Sequence, residues 1–327
     1  TGITFTPIEE LLGIDQLGHW MGFALGDYDG DGDLDVFVTN MGYQPLERPW
    51  PTNPSADCAY YHSTDMGTCF HALIENRVNE GADANRSGAF VIVTGETLVA
   101  ANTIVPPSSL DEDFIPLIET EINGLEAYEF GFGTAFFDMD NDADQDLYWI
   151  GSLAARGEGP QGDLAPGFGR LLQNDGKGAF KDVTAEAQII DSLAVDYSIL
   201  DPDDHDFNTS KQRLGVEFHE NGKGVAIGDL NGDGFIDLIG TNSNGETFDA
   251  EGERAVASGP MFVWMNSGGD NHWVSFSLRG RMAIDGTGSN ADAIGAKITV
   301  SYKSTSGKTF VQTNEVLGSS SFLSMSS

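Results

Sequence analysis

Three short acidic loops, each followed at once by a run of β-forming residues, constrain the fold of this 327-residue chain more than any other feature. Aspartate occupies every second position in the first two loops, and the third loop keeps this spacing in part. Such crowding of like charge is unfavourable unless a cation lies among the side chains. The predicted metal-ligand positions are Asp27, Asp29, Asp31, Asp33 and Asp35 in loop 1, Asp138, Asp140, Asp142, Asp144 and Asp146 in loop 2, and Asp229, Asn231, Asp233, Phe235 and Asp237 in loop 3.

Calcium is the cation that suits these loops, and the sequence predicts three calcium sites. Calcium is a hard ion that takes many oxygen ligands and accepts carboxylates mixed with backbone carbonyls. At the seventh loop position, Asp33 is expected to give its backbone carbonyl, and Phe235 occupies the same position in loop 3. Gly32, at the sixth position, permits the sharp turn that wraps the ion.

An EF-hand is the competing interpretation of these loops. It requires a bidentate glutamate at the twelfth loop position and a helix on each side. The twelfth positions here are Val38, Trp149 and Gly240, and the residues after each loop are apolar β-formers. A short apolar stretch that begins at a glycine also precedes each loop. The repeated unit is therefore predicted to be a strand, a calcium loop and a second strand.

This unit resembles the FG-GAP repeat, also called the VCBS repeat, of integrin-α-like β-propellers. In that family a glycine-rich strand leads into the pattern D-x-D-x-D-G-x-x-D, and an apolar strand follows. The segment 171–184 resembles the third and fourth strands of such a blade. The chain departs from the pattern at Ala143, where the family prefers glycine, and at Asn231, which replaces an aspartate. The resemblance implies an all-β, β-propeller-like fold with calcium loops at one rim.

The end of the chain resembles a different module, the ASPIC/UnbV domain. Its marks are an Asn-His-Trp stretch, predicted to be an alternating strand over 271–280, and Asn-Ala-Asp-Ala-Ile-Gly-Ala at 290–296, followed by a hairpin that reaches Val316. We therefore divide the chain into a propeller-like domain at 1–270, with an insertion at 41–71, and a small β-domain at 271–327. The resemblance leads us to expect that the last strands of this second domain are either missing or supplied by another molecule.

The two cysteines, Cys58 and Cys69, lie in the irregular insertion. If the protein is extracellular, as calcium loops of this kind suggest, a local disulfide is the first expectation. Free thiols are an alternative. A metal site with His62 and His71 is another, although the spacing C-x3-H-x6-C-x-H does not match the usual zinc patterns.

Composition excludes some classes of function. The net charge is −35, from 51 acidic and 16 basic residues, and so acidic a surface repels the phosphates of nucleic acid. No run of about eighteen apolar residues, enough to span a membrane, occurs in the chain. We expect a secreted protein of the extracellular space or cell surface, although no signal peptide opens this sequence.

Two competing hypotheses for the function remain. The first is a non-enzymatic adhesion or interaction module in which calcium is structural. Its partners would be proteins, glycans or further copies of itself, joined through an open β-edge. The second is a secreted hydrolase or other enzyme with an acidic site. We expect no enzymatic activity, because every regularly spaced acid fits a calcium loop and no G-x-S-x-G, H-E-x-x-H or phosphate-binding motif occurs.

Overall fold

A computed structural model describes fourteen stretches of the chain and a few single residues. The stretches are 20–40, 71–81, 88–94, 99–100, 131–151, 153–156, 163–166, 169–184, 186–189, 222–242, 245–248, 254–257, 261–303 and 309–316, and the single residues are 4, 5, 7, 14, 18, 125 and 307. Their regular structure is almost entirely β, which confirms the predicted all-β class. Cys58, Cys69 and the rest of the insertion up to residue 70 lie outside the described residues.

The first sheet is a four-stranded antiparallel meander with the strands in chain order. Gly26 pairs with Asp35, so loop 1 closes a hairpin between the first two strands. Along the second strand, Phe37 and Thr39 are buried while Val36 and Val38 are half-buried, as alternation across a pleated sheet requires. The strands are β1 (Trp20–Gly26), β2 (Asp35–Asn40), β3 (Ala72–Asn76) and β4 (Phe90–Ile92).

The second sheet repeats this plan around loop 2. Phe137 pairs with Asp146 across the loop, and a short strand from before the sheet, β5 (Val99–Ala100), pairs in parallel with its last strand. A separate two-stranded hairpin is inserted between its second and third strands. The sheet strands are β6 (Gly131–Phe137), β7 (Asp146–Gly151), β10 (Arg170–Asn174) and β11 (Phe180–Asp182), and the inserted hairpin is β8 (Leu153–Arg156) with β9 (Asp163–Pro166).

The third sheet has three strands in the described part of the chain. Gly228 pairs with Asp237 across loop 3, in the same register as in the other two sheets. The third strand pairs with the second, and another small hairpin is inserted between them. The sheet strands are β12 (Gly222–Gly228), β13 (Asp237–Asn242) and β16 (Met261–Trp264), and the inserted hairpin is β14 (Gly245–Phe248) with β15 (Arg254–Ala257).

The second sheet lies between the other two, which explains why β6 and β7 are buried along their whole length. Alternate residues of a strand point to opposite faces. On one face, Leu147 and Trp149 pack in a cluster with Phe37 of the first sheet. On the other face, Tyr148 and Ile150 pack in a cluster with Val225 of the third sheet, among others. The three sheets therefore stack as successive blades, as the propeller-like prediction expected.

His71, one of the four residues of the alternative metal site, is part of this core. Its Nδ1 accepts a 2.9 Å hydrogen bond from the backbone N–H of Asn40, and its ring packs against Phe37 and Trp149. Burial lowers its pKa to about 3, so the imidazole is neutral at physiological pH. Its Nε2 is buried without a hydrogen-bond partner, and the other three residues of the alternative metal site lie outside the described residues.

The last described residues form a short helix and one β-hairpin. The helix α1 (Met282–Asp285) ends at Gly286, whose φ of 74° gives a left-handed cap. The strands β17 (Lys297–Lys303) and β18 (Thr309–Glu315) pair in antiparallel register, as predicted. The strand predicted over 271–280 is wrong: these residues form no strand and are almost all exposed. Alternation alone does not make a strand, and in the described structure no neighbouring strand pairs with this segment.

Candidate metal centres

Loop 1 brings together three carboxylates from the first, third and ninth loop positions. Oxygen atoms of Asp27, Asp29 and Asp35 all lie within 4.8 Å of one another. The antiparallel pairing of Gly26 with Asp35 explains this geometry, because it places the two ends of the loop side by side. Asp27 and Asp35 are buried, so the group is largely removed from water.

Loop 2 repeats this arrangement with the same three positions. Asp138, Asp140 and Asp146 have oxygen atoms within 4.8 Å of one another. Asp146 is buried, whereas Asp138 and Asp140 are half-buried. Two equivalent carboxylate triads in successive blades are therefore available to hold metal ions.

Loop 3 has the same backbone but only two of the three triad carboxylates. Asp229 and Asp237 take the first and ninth positions, while the third is Asn231, whose amide donates a 2.8 Å hydrogen bond to Asp233. Three acids do not converge at this loop, although three metal sites were predicted. An amide oxygen can still serve as a neutral ligand, so the loop retains donors but carries less charge.

The three loops share one backbone path, held by the aspartate at the first position. Its carboxylate accepts the N–H of the sixth loop residue, at 3.1 Å in loops 1 and 2 and 2.8 Å in loop 3. That sixth residue has positive φ in every loop: 90° at Gly32, 82° at Ala143 and 89° at Gly234. Ala143 therefore adopts the turn that favours glycine despite its Cβ, which costs strain but keeps the loop geometry.

Carboxylate oxygens at the fifth and seventh positions are buried without a hydrogen-bond partner. They are Oδ2 of Asp31, Oδ1 of Asp33 and Oδ1 of Asp144. The other oxygen of Asp33 accepts the backbone N–H of Asn79 at 2.9 Å, so this side chain points inward rather than into solvent. A buried carboxylate oxygen without a donor is costly, and a bound cation would satisfy it.

Burial raises the pKa of several loop carboxyls well above the ordinary value of 3.8. The pKa reaches about 8 for Asp35 and Asp146 and about 6 for Asp29 and Asp138, and charges on neighbouring aspartates act in the same direction. The pKa of the Asp144 carboxyl rises to about 7, again because of burial and of the charges on neighbouring aspartates. Without a counter-charge the loops resist full ionisation, and a divalent cation would offset this cost.

The aspartate at the ninth position also joins its loop to the third strand of the blade. In loop 2, Oδ2 of Asp146 accepts the N–H of Met139 at 2.8 Å, and Oδ1 accepts the N–H of Asn174 at 2.8 Å. The same pair of bonds recurs in the other blades. Asp35 accepts from Tyr28 and Asn76, and Asp237 accepts from Leu230 and Asn266.

Asparagines that the sequence analysis did not single out link successive blades. The amide of Asn174 donates to the carbonyl of Tyr28 in loop 1 at 2.6 Å, and that of Asn266 donates to the carbonyl of Met139 in loop 2 at 2.7 Å. Each acceptor is the second residue of the preceding loop. The available signal was an asparagine at the end of the third strand in the first two blades and two residues after it in the third. The partners could not be predicted, because they lie more than 100 residues away in the sequence.

Comparison with known families agrees with part of this geometry. The FG-GAP repeat matches residues 19–48, which contain β1, loop 1 and β2. The chain therefore contains an FG-GAP repeat, and a repeat of this kind suggests an integrin-like interaction module. No curated protein matches the chain. Among the described residues, no helix is both long and apolar enough to cross a membrane.

Proposed function

We propose that this protein is a non-enzymatic interaction module whose blades are stabilised by calcium bound in the acidic loops. One observation carries the proposal: equivalent carboxylate triads occur in two successive blades, and both loops also contain buried oxygens without a partner. The FG-GAP repeat supports the same interpretation, because such repeats suggest interaction modules. The expected location is the extracellular space or cell surface, where calcium is abundant.

Calcium suits the donor set better than the other common ions. All the side-chain donors of these loops are hard oxygens, and carboxylates predominate, which disfavours soft transition metals. Magnesium prefers a small octahedral shell and usually keeps several waters, whereas these loops offer many protein oxygens in a flexible ring. Asp27, Asp29 and Asp35 would hold the ion in loop 1, and Asp138, Asp140 and Asp146 would hold it in loop 2.

The role proposed for calcium is structural. The ion would neutralise carboxylates that the fold has already gathered, and so stabilise a loop whose ninth residue is bonded to the third strand of the same blade. Because Met139, the second residue of the same loop, accepts a hydrogen bond from Asn266 of the next blade, stabilisation of one loop also strengthens the contact between blades. Ion binding and folding are therefore expected to be coupled.

The partners proposed are proteins or glycans, including further copies of the chain. Blades present broad surfaces with exposed strand edges, and an exposed edge can pair with a strand from a neighbour. The alternative, an enzyme with an acidic site, has less support. Within the described residues, both groups of three acids with converging oxygens belong to the loops.

The test is calcium titration combined with thermal unfolding of the full chain. We expect calcium to raise the melting temperature, magnesium to raise it less, and a chelator to lower it. Asp29→Asn and Asp140→Asn each introduce the asparagine that loop 3 has at the third position and should each weaken calcium binding by about tenfold, since ligand charge sets affinity in such loops. Glu80→Gln is the matched control, because it also removes one negative charge, and Glu80 is exposed next to Asn79, whose backbone N–H bonds to loop 1. Equal melting temperatures in calcium and chelator would contradict the proposal.

A further inference from the structure

We infer that the β17–β18 hairpin is a tethered lid on the acidic loops, in which Lys297 competes with the divalent cation of loop 1. The inference rests on the proposed function, because it assumes that the loops bind a cation. It goes further by assigning a residue outside the loops that sets their affinity.

The first contact lies at loop 1. The ammonium of Lys297, at the start of β17, donates a hydrogen bond to the backbone carbonyl of Gly32. Gly32 stands between Asp31 and Asp33, each of which has a buried oxygen without a partner. Burial raises the pKa of Asp27 and of Asp33, and the Lys297 charge acts in the opposite direction on both. The lysine therefore stabilises the same negative charges that a metal ion would neutralise.

The second contact lies at loop 2. The amide of Gln312, in β18, donates to Oδ2 of Asp138 at 3.1 Å, and the N–H of Ala143 donates to the same oxygen at 3.1 Å. Tyr302 of β17 lies close enough that, after burial, the charges of Asp138 and Asp142 raise its pKa. The hairpin thus bonds to a carboxylate of the second triad.

The pairing of the hairpin explains how one element reaches two loops. Gln312 pairs with Val300, three residues from Lys297, so Lys297 and Gln312 project from opposite faces. One face therefore contacts loop 1 and the other contacts loop 2. A third contact, from the amide of Asn271 to the carbonyl of Asp140 at 3.0 Å, holds the segment that leads to the hairpin against loop 2.

The charge distribution favours this docking. Residues 271–327 carry five basic and three acidic residues, whereas residues 1–270 carry 11 basic and 48 acidic residues. The hairpin is therefore part of a terminal portion with net positive charge in a chain that is otherwise strongly acidic. Two strands alone bury little surface, and β17 is mostly exposed, so attraction to the loops contributes to holding the hairpin in place.

The consequence is a reciprocal coupling between ion and lid. A doubly charged ion in loop 1 repels the ammonium of Lys297 and reduces the negative charge that attracts it. If docking lowers the affinity for the ion, the ion must weaken docking by the same factor. Calcium is then expected to loosen the hairpin while it stabilises the blades.

The test compares calcium binding by the full-length protein, Lys297→Gln and Lys303→Gln in isothermal titration. Lys303 is the matched control, because it lies at the other end of β17 and is exposed. We expect Lys297→Gln to tighten one site by about three- to tenfold, the size of a screened charge–charge effect, and Lys303→Gln to change affinity less than twofold. Equal affinities in all three proteins would overturn the inference and leave the proposed function intact.

A second measurement follows the lid itself by hydrogen exchange of residues 297–316. In chelator, Lys297→Gln should exchange faster there than the unchanged protein, because the hairpin loses its contact with loop 1. In calcium, the unchanged protein should approach the exchange rate of the variant. Slower exchange of the hairpin in calcium would show that ion and lid cooperate, which contradicts the inference. If none of the three proteins bound calcium, the proposed function would be refuted. The proposed competition between Lys297 and the ion would be refuted with it.

Discussion

The side-chain amide of Asn174 donates a 2.6 Å hydrogen bond to the backbone carbonyl of Tyr28, which lies 146 residues earlier in the chain. The same amide donates to the carbonyl of Gln145 at 2.9 Å. One buried asparagine thus satisfies carbonyls in the acidic loops of two blades. Asn266 makes the equivalent pair of bonds one blade further on. The loops are therefore connected to one another independently of any metal.

This relationship predicts a large loss of stability for Asn174→Ala. The substitution leaves the carbonyls of Tyr28 and Gln145 without this donor in a buried setting, since only 4% of the asparagine is exposed. Unsatisfied buried acceptors cost about 1–3 kcal/mol each, so we expect a loss of about 2 kcal/mol or more in the free energy of unfolding. Urea denaturation in chelator measures the effect without a contribution from metal.

Asn271→Ala is the control for this experiment. Asn271 also donates its amide to a backbone carbonyl in an acidic loop, but it is exposed. Water replaces such a bond, and we expect a change below about 0.5 kcal/mol. Similar losses of stability in the two variants would show that the buried hydrogen bonds of Asn174 contribute no more than the exposed hydrogen bond of Asn271.

The sequence alone predicted the repeated units but not how they are joined. The strands on each side of a loop follow from local patterns, because apolar alternation and aspartate spacing act within a dozen residues. The bond from Asn174 to Tyr28 depends on how two blades stack, and nothing in the spacing of these residues fixes that arrangement. The docking of Lys297 on Gly32 is equally non-local.

The prediction of a strand at 271–280 was wrong for a similar reason, because strand formation also depends on contacts with distant parts of the chain. The alternation of apolar and polar residues in this segment is real, and Val274, Phe276 and Leu278 are all at least one third exposed in the structure. A strand needs a neighbour to satisfy its backbone, and alternation does not say whether one is present. Local pattern is therefore a reliable guide to the loops and a weaker guide to isolated segments.

Trp149 provides a prediction about the packing between blades. It is 1% exposed and packs with Phe37 and His71 of the first blade. Trp149→Ala would leave a cavity at this interface and should cost about 3–5 kcal/mol. Phe5→Ala is the control, because Phe5 is 94% exposed, and its loss should cost about 0.5 kcal/mol or less. Thermal and urea unfolding give both values, and equal losses would contradict the stacking described above.

The raised pKa values predict how stability depends on pH in chelator. Asp35 and Asp146 have folded pKa values of about 8, against an ordinary 3.8. Between these values the folded state binds more protons than the unfolded state, so these groups stabilise the protein at low pH and lose that contribution as the pH rises through 8. His71 acts in the opposite sense only below about 6.5, because its folded pKa is lowered to about 3. From pH 6.5 to 8.5, the urea midpoint should therefore fall.

Calcium should weaken or reverse this trend. A bound ion keeps the carboxylates ionised in the folded state, so fewer protons are taken up there and calcium affinity rises with pH. The comparison is the urea midpoint at pH 6.5 and 8.5, in calcium and in chelator. A midpoint in chelator that rises over this range would show that the loop carboxyls are already ionised in the metal-free fold.

The sign of the stability change caused by Ala143→Gly will show whether backbone strain or side-chain contacts dominate at this position. The φ of 82° at Ala143 lies in the left-handed region, where alanine is disfavoured by about 1–2 kcal/mol and glycine is not. Ala143→Gly removes this strain and matches the glycine found at the same position in loops 1 and 3. We expect a gain of about 1 kcal/mol in the free energy of unfolding, with calcium binding at loop 2 at least as tight as before.

Ala187→Gly supplies the contrast within the same protein. Ala187 is exposed in the turn after β11, and its φ is not in the left-handed region. There glycine adds freedom to the unfolded chain without relieving strain, so we expect a loss of up to about 1 kcal/mol. Urea denaturation of both variants in chelator tests the pair. Destabilisation by both substitutions would mean that contacts of the Ala143 methyl group outweigh its backbone strain. Alanine in place of glycine would then not reduce the stability of loop 2.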